Sequence, residues 1–226
     1  YQLMKCFAAE ASDHGAKLVY RSKVTGIERV NGGYRVTVED ASGTFCFRSR
    51  ILINSAGLQS DRVAGMAGID LDQVGYRLRY CKGQYFNAGK NGLVRHLVYP
   101  APEPKGVGLG IHVTLDLEGR MLLGPDARYV DEIDYSVDMG QRRAFCDSVR
   151  RLLPSVDCER IEPEMAGIRP KLQGPGESFR DFIVRDEADR GLPGFINLVG
   201  IESPGLTASP AIARLVAELA IRAMNG

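Results

Sequence analysis

Phe195-Ile196-Asn197-Leu198-Val199-Gly200-Ile201-Glu202-Ser203-Pro204-Gly205-Leu206-Thr207 is the stretch on which the fold turns. Its first five residues are almost continuously apolar, as in a strand buried on both faces. Gly200 to Thr207 is a turn of small residues, and Ile212, Leu215, Val216 and Leu219 follow at steps of a helix face. Strand, tight turn and helix in succession predict an α/β layer. The turn sets the free N–H groups of a helix N-terminus beside the carboxyl end of a strand. The helix dipole adds partial positive charge there, so anions and electron-rich rings bind such places. Gly200 and Gly205 let a ligand approach the backbone closely. An ordinary strand-to-helix connection carries the same pattern, so the reading needs support from elsewhere in the chain.

A second run of this kind is Ile51-Leu52-Ile53, ending in Asn54-Ser55-Ala56-Gly57. In open α/β sheets, ligands sit at the carboxyl ends of strands. Between these two runs and around them the pattern changes. Apolar and polar residues alternate over 24–30, 34–39 and 44–48, with Asn31-Gly32-Gly33 and Asp40-Ala41-Ser42-Gly43 as turns. Period two with such turns predicts an antiparallel meander. Leu3, Met4, Phe7, Ala8 and Ala11 predict a helix over 2–14 with one buried face, closed by Gly15. A short strand over 17–20 and a helix over 61–67 complete the first part. Further strands are expected at 76–86, 93–99, 109–114, 120–123 and 182–184, and a helix at 141–153 stopped by Pro154. The first and last parts thus form one α/β layer interrupted by a β-rich insertion.

Composition bounds the function. The 226 residues are 44% hydrophobic and 25% charged, an ordinary globular balance. With 29 basic and 28 acidic residues the formal charge is +1, which argues against nucleic acid as the main partner. No apolar run reaches the ~18 residues of an integral membrane segment. The opening Tyr1-Gln2-Leu3-Met4-Lys5-Cys6 does not read as a signal peptide, and Tyr1 reads as an arbitrary start. Five cysteines, an odd number without a CxxC, argue against a disulfide framework or a zinc site. Free, mostly buried thiols in a reducing, cytoplasmic setting are expected. Three histidines are too scattered to suggest a metal site.

Three further places carry candidate chemistry. In Gly167-Ile168-Arg169-Pro170, an Arg held before a rigid Pro clamps a carboxylate, or else is a surface Arg in a loop. His112, on an alternating strand, shares a face with Gly110 and Thr114. It serves as a general base in a cavity or faces solvent. Tyr99 ends a strand and either offers its hydroxyl to a pocket or packs at a core edge. His96 reads as a packing residue.

Several stretches together resemble the FAD-dependent oxidoreductases of the D-amino-acid oxidase superfamily, in particular the branch acting on L-2-hydroxyglutarate. They are Lys82-Gly83-Gln84-Tyr85-Phe86, His96 to Pro102, Gly108 to Thr114, Gly124-Pro125-Asp126-Ala127, Gly167 to Lys171 and Asn197 to Thr207. The resemblance covers nearly the whole chain. It implies a partial FAD-binding layer of the glutathione-reductase-like type plus a mostly antiparallel substrate domain. The expected parts are 1–73 and 181–226 for the FAD layer and 74–180 for the substrate domain. Such enzymes open with a strand, a Gly-x-Gly-x-x-Gly turn and a helix that hold the FAD diphosphate. No such motif occurs here; Gly106-Val107-Gly108-Leu109-Gly110 runs between two strands. The chain therefore resembles the C-terminal portion of such an enzyme, inactive by itself.

Residue by residue, the resemblance implies that Val24 offers its backbone to the adenine and that Ser55, Ala56 and Gly57 lie along the adenosine and diphosphate. Gly200, Ile201, Glu202, Ser203, Pro204, Gly205, Leu206 and Thr207 would face the isoalloxazine. Arg169, Tyr99 and Lys82 would bind a small carboxylic acid, and His112 would be the base in oxidising a 2-hydroxy acid to a 2-oxo acid. The alternatives are an amino-acid or glycine-oxidase-like enzyme, and a non-catalytic chain that does not hold FAD alone. Electron acceptor and oligomeric state stay open.

Overall fold

The expected meander is formed by β1 (Lys23–Val30), β2 (Gly33–Asp40) and β3 (Gly43–Ser49) in a computed structural model that describes residues 1–90, 92–101 and 110–225. Gly33 is obligatory at the first turn: its φ is +144°, and a Cβ would lie 2.2 Å from the Ser49 carbonyl oxygen. Alternation along β2 buries Tyr34, Val36 and Val38 on one face. The Tyr34 hydroxyl donates to the Pro193 carbonyl at 2.9 Å, which ties the meander to the end of the chain. Burial pushes the Tyr34 phenol up to about 12.

β4 (Leu52–Asn54) pairs in parallel with β11 (Leu192–Val199), and β10 (Ile183–Glu187) pairs antiparallel on the other side of β11. Residues from the first quarter and the last fifth of the chain thus share one sheet. Tyr34, Val36, Ala64 of α2 (Ser60–Met66), Leu172, Phe195 and Val199 fill the core beneath it.

The second sheet is centred on β5 (Arg79–Asn87). One edge of β5 pairs along its whole length with β9 (Glu162–Lys171). The other edge is shared by β7 (Met121–Gly124) and β8 (Arg128–Val130), and β6 (His112–Leu115) lies outside β7. Phe86, Val113 and Leu123 face Phe145 and Val149 of α3 (Arg142–Arg150) in a second core. Phe86 and Phe145 have ring centroids 4.8 Å apart.

Several expectations change. α1 (Gln2–Asp13) forms, but it buries no residue, and Leu3, Met4 and Phe7 are exposed. Residues 17–20 make no strand and are exposed. Ile53 is 44% exposed, so β4 is not covered on both faces. Of the strand expected at 93–99, only a bridge from Val98 to Val113 forms, and His96 is exposed rather than packed. Leu109 and the glycine run before Gly110 lie outside the described residues. In the last helix, α4 (Gly205–Asn225), Val216 is buried while Leu215 is exposed.

β9 is a ten-residue strand where a loop or isolated clamp was expected. Pro163 and Pro170 read as breakers. Among the described residues, however, β9 pairs only with β5, and an edge strand tolerates residues without an N–H. The cysteine reading is also corrected. Cys146 of α3 and Cys158 are bonded, with Cα atoms 5.6 Å apart, while Cys6 and Cys46 are exposed and only Cys81 is a buried thiol. The covered face of α3 and the turn leading into β9 cross the same core, a proximity that spacing along the chain does not reveal.

Candidate cofactor and substrate site

Parallel pairing of β4 with β11 aligns Asn54 with Asn197. Both strands therefore end at one edge, and the two small-residue runs expected to hold a cofactor leave the sheet side by side. Buried amides fix the edge. Asn54 Nδ2 donates to the Ser60 carbonyl at 2.7 Å and to Asn197 Oδ1 at 2.8 Å, while Asn54 Oδ1 accepts from the Ala56 N–H at 3.2 Å. Asn197 Nδ2 donates in turn to Glu187 Oε1 at 2.9 Å, and Glu187 is fully buried against Arg190 and Arg185. The side chains of Asn54, Asn197 and Glu187 thus partner one another in series, as desolvation demands. Ser55, Ala56 and Gly57 emerge exposed from this edge. At Gly57, with φ +56°, a Cβ would meet no described atom within 4 Å.

Beside the other run is a cavity of about 390 Å³. Its walls are Ile168, Arg169 and Pro170 of β9 on one side and residues 201–207, at the N-terminus of α4, on the other. Glu202 lies in its wall, buried, with Oε1 accepting from Lys171 Nζ at 2.5 Å. Arg169 Nη1 stands 3.8 Å from Glu202 Oε2, and the Arg169 side chain is one-third exposed. Lys171 thus occupies Glu202, and Arg169 keeps a free side. Gly200 is required by packing: φ is +74°, and a Cβ would sit 2.5 Å from Leu172 Cγ. Val24 lies elsewhere, half-buried at the bulge of β1 against the first core.

Strand register decides what shares a face with Arg169. Phe86, Leu123 and Val113 are aligned and point into the second core. Alternation sends Tyr85, Gly124 and His112 to the opposite face. On that face, Arg169 lies opposite Cys81, Gly167 opposite Gly83, and Met165 opposite Tyr85. Arg169 and His112 therefore look out from the same side. On spacings of about 3.3 Å per residue and about 4.8 Å per strand, their Cα atoms are about 20 Å apart with Tyr85 between. Burial raises the Tyr85 phenol, and Arg169 on one side and Tyr99 on the other act on it electrostatically, the first lowering and the second raising it.

His112 is 6% exposed and stacks on Tyr99, with ring centroids 4.2 Å apart and planes inclined by 23°. Its Nδ1 is 2.9 Å from the Gly110 carbonyl oxygen. A carbonyl only accepts, so Nδ1 carries a proton, and in the neutral ring Nε2 carries the lone pair. Lys82, expected to touch substrate, sits on the core face of β5 instead. It is buried and paired with Asp134 Oδ2 at 2.7 Å. The structure brings together Arg169 with residues 201–207, and His112 with Tyr99; it sets Lys82 and Val24 apart.

Tyr85, Lys171 and Asn197, which the structure sets beside these groups, were not singled out in the sequence. Lys171 had a signal, since it is two residues beyond Arg169 and thus on its face once β9 is known to be a strand.

A cleft beside the carboxyl ends of the parallel strands lies next to an antiparallel sheet that carries Arg169 and His112 on one face. The chain belongs to the FAD dependent oxidoreductase (DAO) family, whose profile matches residues 1–219. It is 38% identical over 185 residues to a mitochondrial L-2-hydroxyglutarate dehydrogenase of Arabidopsis thaliana, covering 76% of this chain and 38% of that protein. A glycerol 3-phosphate dehydrogenase of Caloramator mitchellensis is 27% identical, over 94% of this chain and 41% of that protein. Among solved structures, the dithionite-reduced, FAD-bound L-alpha-glycerophosphate oxidase of Mycoplasma pneumoniae superposes with a TM-score of 0.78 at 27% identity, over 96% of this chain and 54% of that one. The chain spans about half or less of the length of these relatives.

Proposed function

We propose that this chain is the substrate-binding side and part of the FAD layer of an enzyme that oxidises a 2-hydroxy acid, 2-hydroxyglutarate-like, to the 2-oxo acid. The observation that supports the reading is the contact of His112 Nδ1 with the Gly110 carbonyl, which leaves Nε2 as the acceptor of the neutral ring on the sheet face it shares with Arg169.

The residues present fit FAD. The cavity of about 390 Å³ beside the α4 N-terminus gives part of such a group a place against residues 201–207. The exposed Ser55–Gly57 edge lies at the strand ends where a nucleotide would run. Residues 55–57 and 200–207 would hold it, and FAD, when bound, supplies the two-electron acceptor. The helix N-terminus, together with Arg169 and Lys171 set against the single carboxylate of Glu202, favours negative charge in that cavity. Arg169 binds and orients a carboxylate of the substrate. His112 Nε2 accepts the proton of the substrate hydroxyl, while Nδ1 stays fixed on Gly110. Tyr99 covers the imidazole and limits water access to it.

The test is anaerobic flavin reduction in the flavin-loaded full-length protein, with L-2-hydroxyglutarate, glycerol 3-phosphate and glycine compared. The expected result is bleaching by the hydroxy acid above the other two. His112→Ala should slow it by about 100- to 10,000-fold, the usual worth of a general base. Arg169→Ala should weaken acid binding by about 2–5 kcal/mol. Reduction by glycine or glycerol 3-phosphate alone, or full turnover without His112, overturns the reading.

A further inference from the structure

Three glycines lie on the sheet face between Arg169 and His112, and two of them are explained by the fold. At Gly124, φ is +138° and a Cβ would lie 2.4 Å from the Gln84 carbonyl oxygen. At Gly83, a Cβ would lie 2.9 Å from Pro125 Cβ and 3.1 Å from the Asp126 carbonyl oxygen. Neither position accepts a side chain. Gly167 is different. Its φ is not positive, and a Cβ there would meet no heavy atom of the described residues within 4 Å. Glycine within a strand loses more backbone entropy on folding than alanine does and contributes no packing. Nothing among the described residues repays that cost at position 167.

The position is specific. Gly167 lies between Met165 and Arg169 on β9 and opposite Gly83, one step from Tyr85. An acid with a carboxylate on Arg169 and its chain directed along this face toward His112 crosses the backbone of Gly167. His112 supplies an independent pointer to a ligand on this face: it is 6% exposed, and its Nε2 accepts no hydrogen bond from the described residues. We propose that Gly167 is the residue that sets substrate size, its missing side chain leaving the floor of a slot for the carbon chain of the acid. This rests on the reading of Arg169 and His112 given above. Alanine at 167 would raise the floor by one methyl group, and valine would close it.

The experiment uses the flavin-loaded full-length protein and its Gly167→Ala, Gly167→Val and Arg169→Ala variants. Binding of glyoxylate, pyruvate, 2-oxobutyrate and 2-oxoglutarate is titrated by the change in flavin absorbance, and thermal midpoint and flavin content are measured beside it. Both Gly167 variants should keep flavin content and midpoint. Gly167→Ala should weaken 2-oxoglutarate by about tenfold or more relative to glyoxylate, the usual worth of one methyl group in a tight pocket, and Gly167→Val should extend the loss to pyruvate. Arg169→Ala should weaken all four acids. If Arg169→Ala weakens them but neither Gly167 variant changes the size profile, the Gly167 proposal fails and the clamp stands. If a Gly167 variant loses fold or flavin, the glycine serves the structure and the proposal fails. If the parent binds none of the acids, or Arg169→Ala changes nothing, the clamp reading fails and takes the proposal with it.

Discussion

Lys171→Met is the most informative single change in the site. Lys171 and Glu202 are both buried, and their 2.5 Å contact is the nearest charge pairing either makes. Methionine keeps the length and packing of the side chain and removes the ammonium. A buried carboxylate deprived of its partner costs about 3–5 kcal/mol. Arg169, already 3.8 Å from the other oxygen, can move in and offset part of this, so the expected loss is near the low end, about 3 kcal/mol. That movement has a second effect: Arg169 bound to Glu202 is withdrawn from the substrate. Acid binding should weaken by at least about tenfold, or 1.4 kcal/mol. Urea unfolding reads the first effect and titration of 2-oxoglutarate into the flavin-loaded full-length protein reads the second. Adding Glu202→Gln to Lys171→Met should recover most of both, because no carboxylate remains to hold Arg169. A loss in the double variant equal to the sum of the singles, or unchanged acid affinity in Lys171→Met, refutes the reasoning.

Lys82→Met should leave acid affinity unchanged, since Lys82 lies on the core face of β5; a tenfold loss in the same titration would return it to the site. The hydrogen bond from Lys82 holds the Asp134 carboxyl well below its ordinary value of 3.8. Stability from this pair is therefore present above that value and is lost as pH falls through the depressed one. Lys82→Met should raise the pH of the acid-unfolding midpoint followed by circular dichroism. Replacing Cys146 and Cys158 by serine opens a bridge of sequence separation 12. It should cost about 3 kcal/mol in urea unfolding, with dithiothreitol reproducing the loss in the parent protein.

Elements with strong local signals were legible in the sequence. The meander follows from period-two alternation and its glycine turns, and the run from Phe195 into the last helix follows from its punctuation. β9 was not legible, because Pro163, Gly167 and Pro170 weaken every local strand signal, and its pairing with β5 is a long-range fact. The same gap hid the partner of Glu202: until β9 is a strand, nothing places Lys171 on the face of Arg169. The face of Lys82 was hidden for a related reason: in Lys82-Gly83-Gln84-Tyr85 the side chains alternate, and only the burial of Phe86 shows that Lys82 shares its face while Tyr85 shares that of Arg169. The disulfide was invisible because Cys146 and Cys158 meet through tertiary packing of α3. Exposed Leu3, Met4 and Phe7 on α1 show the reverse case, a clear amphipathic pattern with no partner among the described residues.

The bond between Asn54 and Asn197 spans 143 positions of the chain. Closing a loop of that length carries an entropic cost that local structure does not offset. During synthesis, the strand bearing Asn54 is complete long before its parallel neighbour is made. The edge that the two strands share thus forms only after both are present. A molecule that grips residues 55–57 and 200–207 together acts as a clasp on the finished topology, favouring the native state by mass action at the moment of closure.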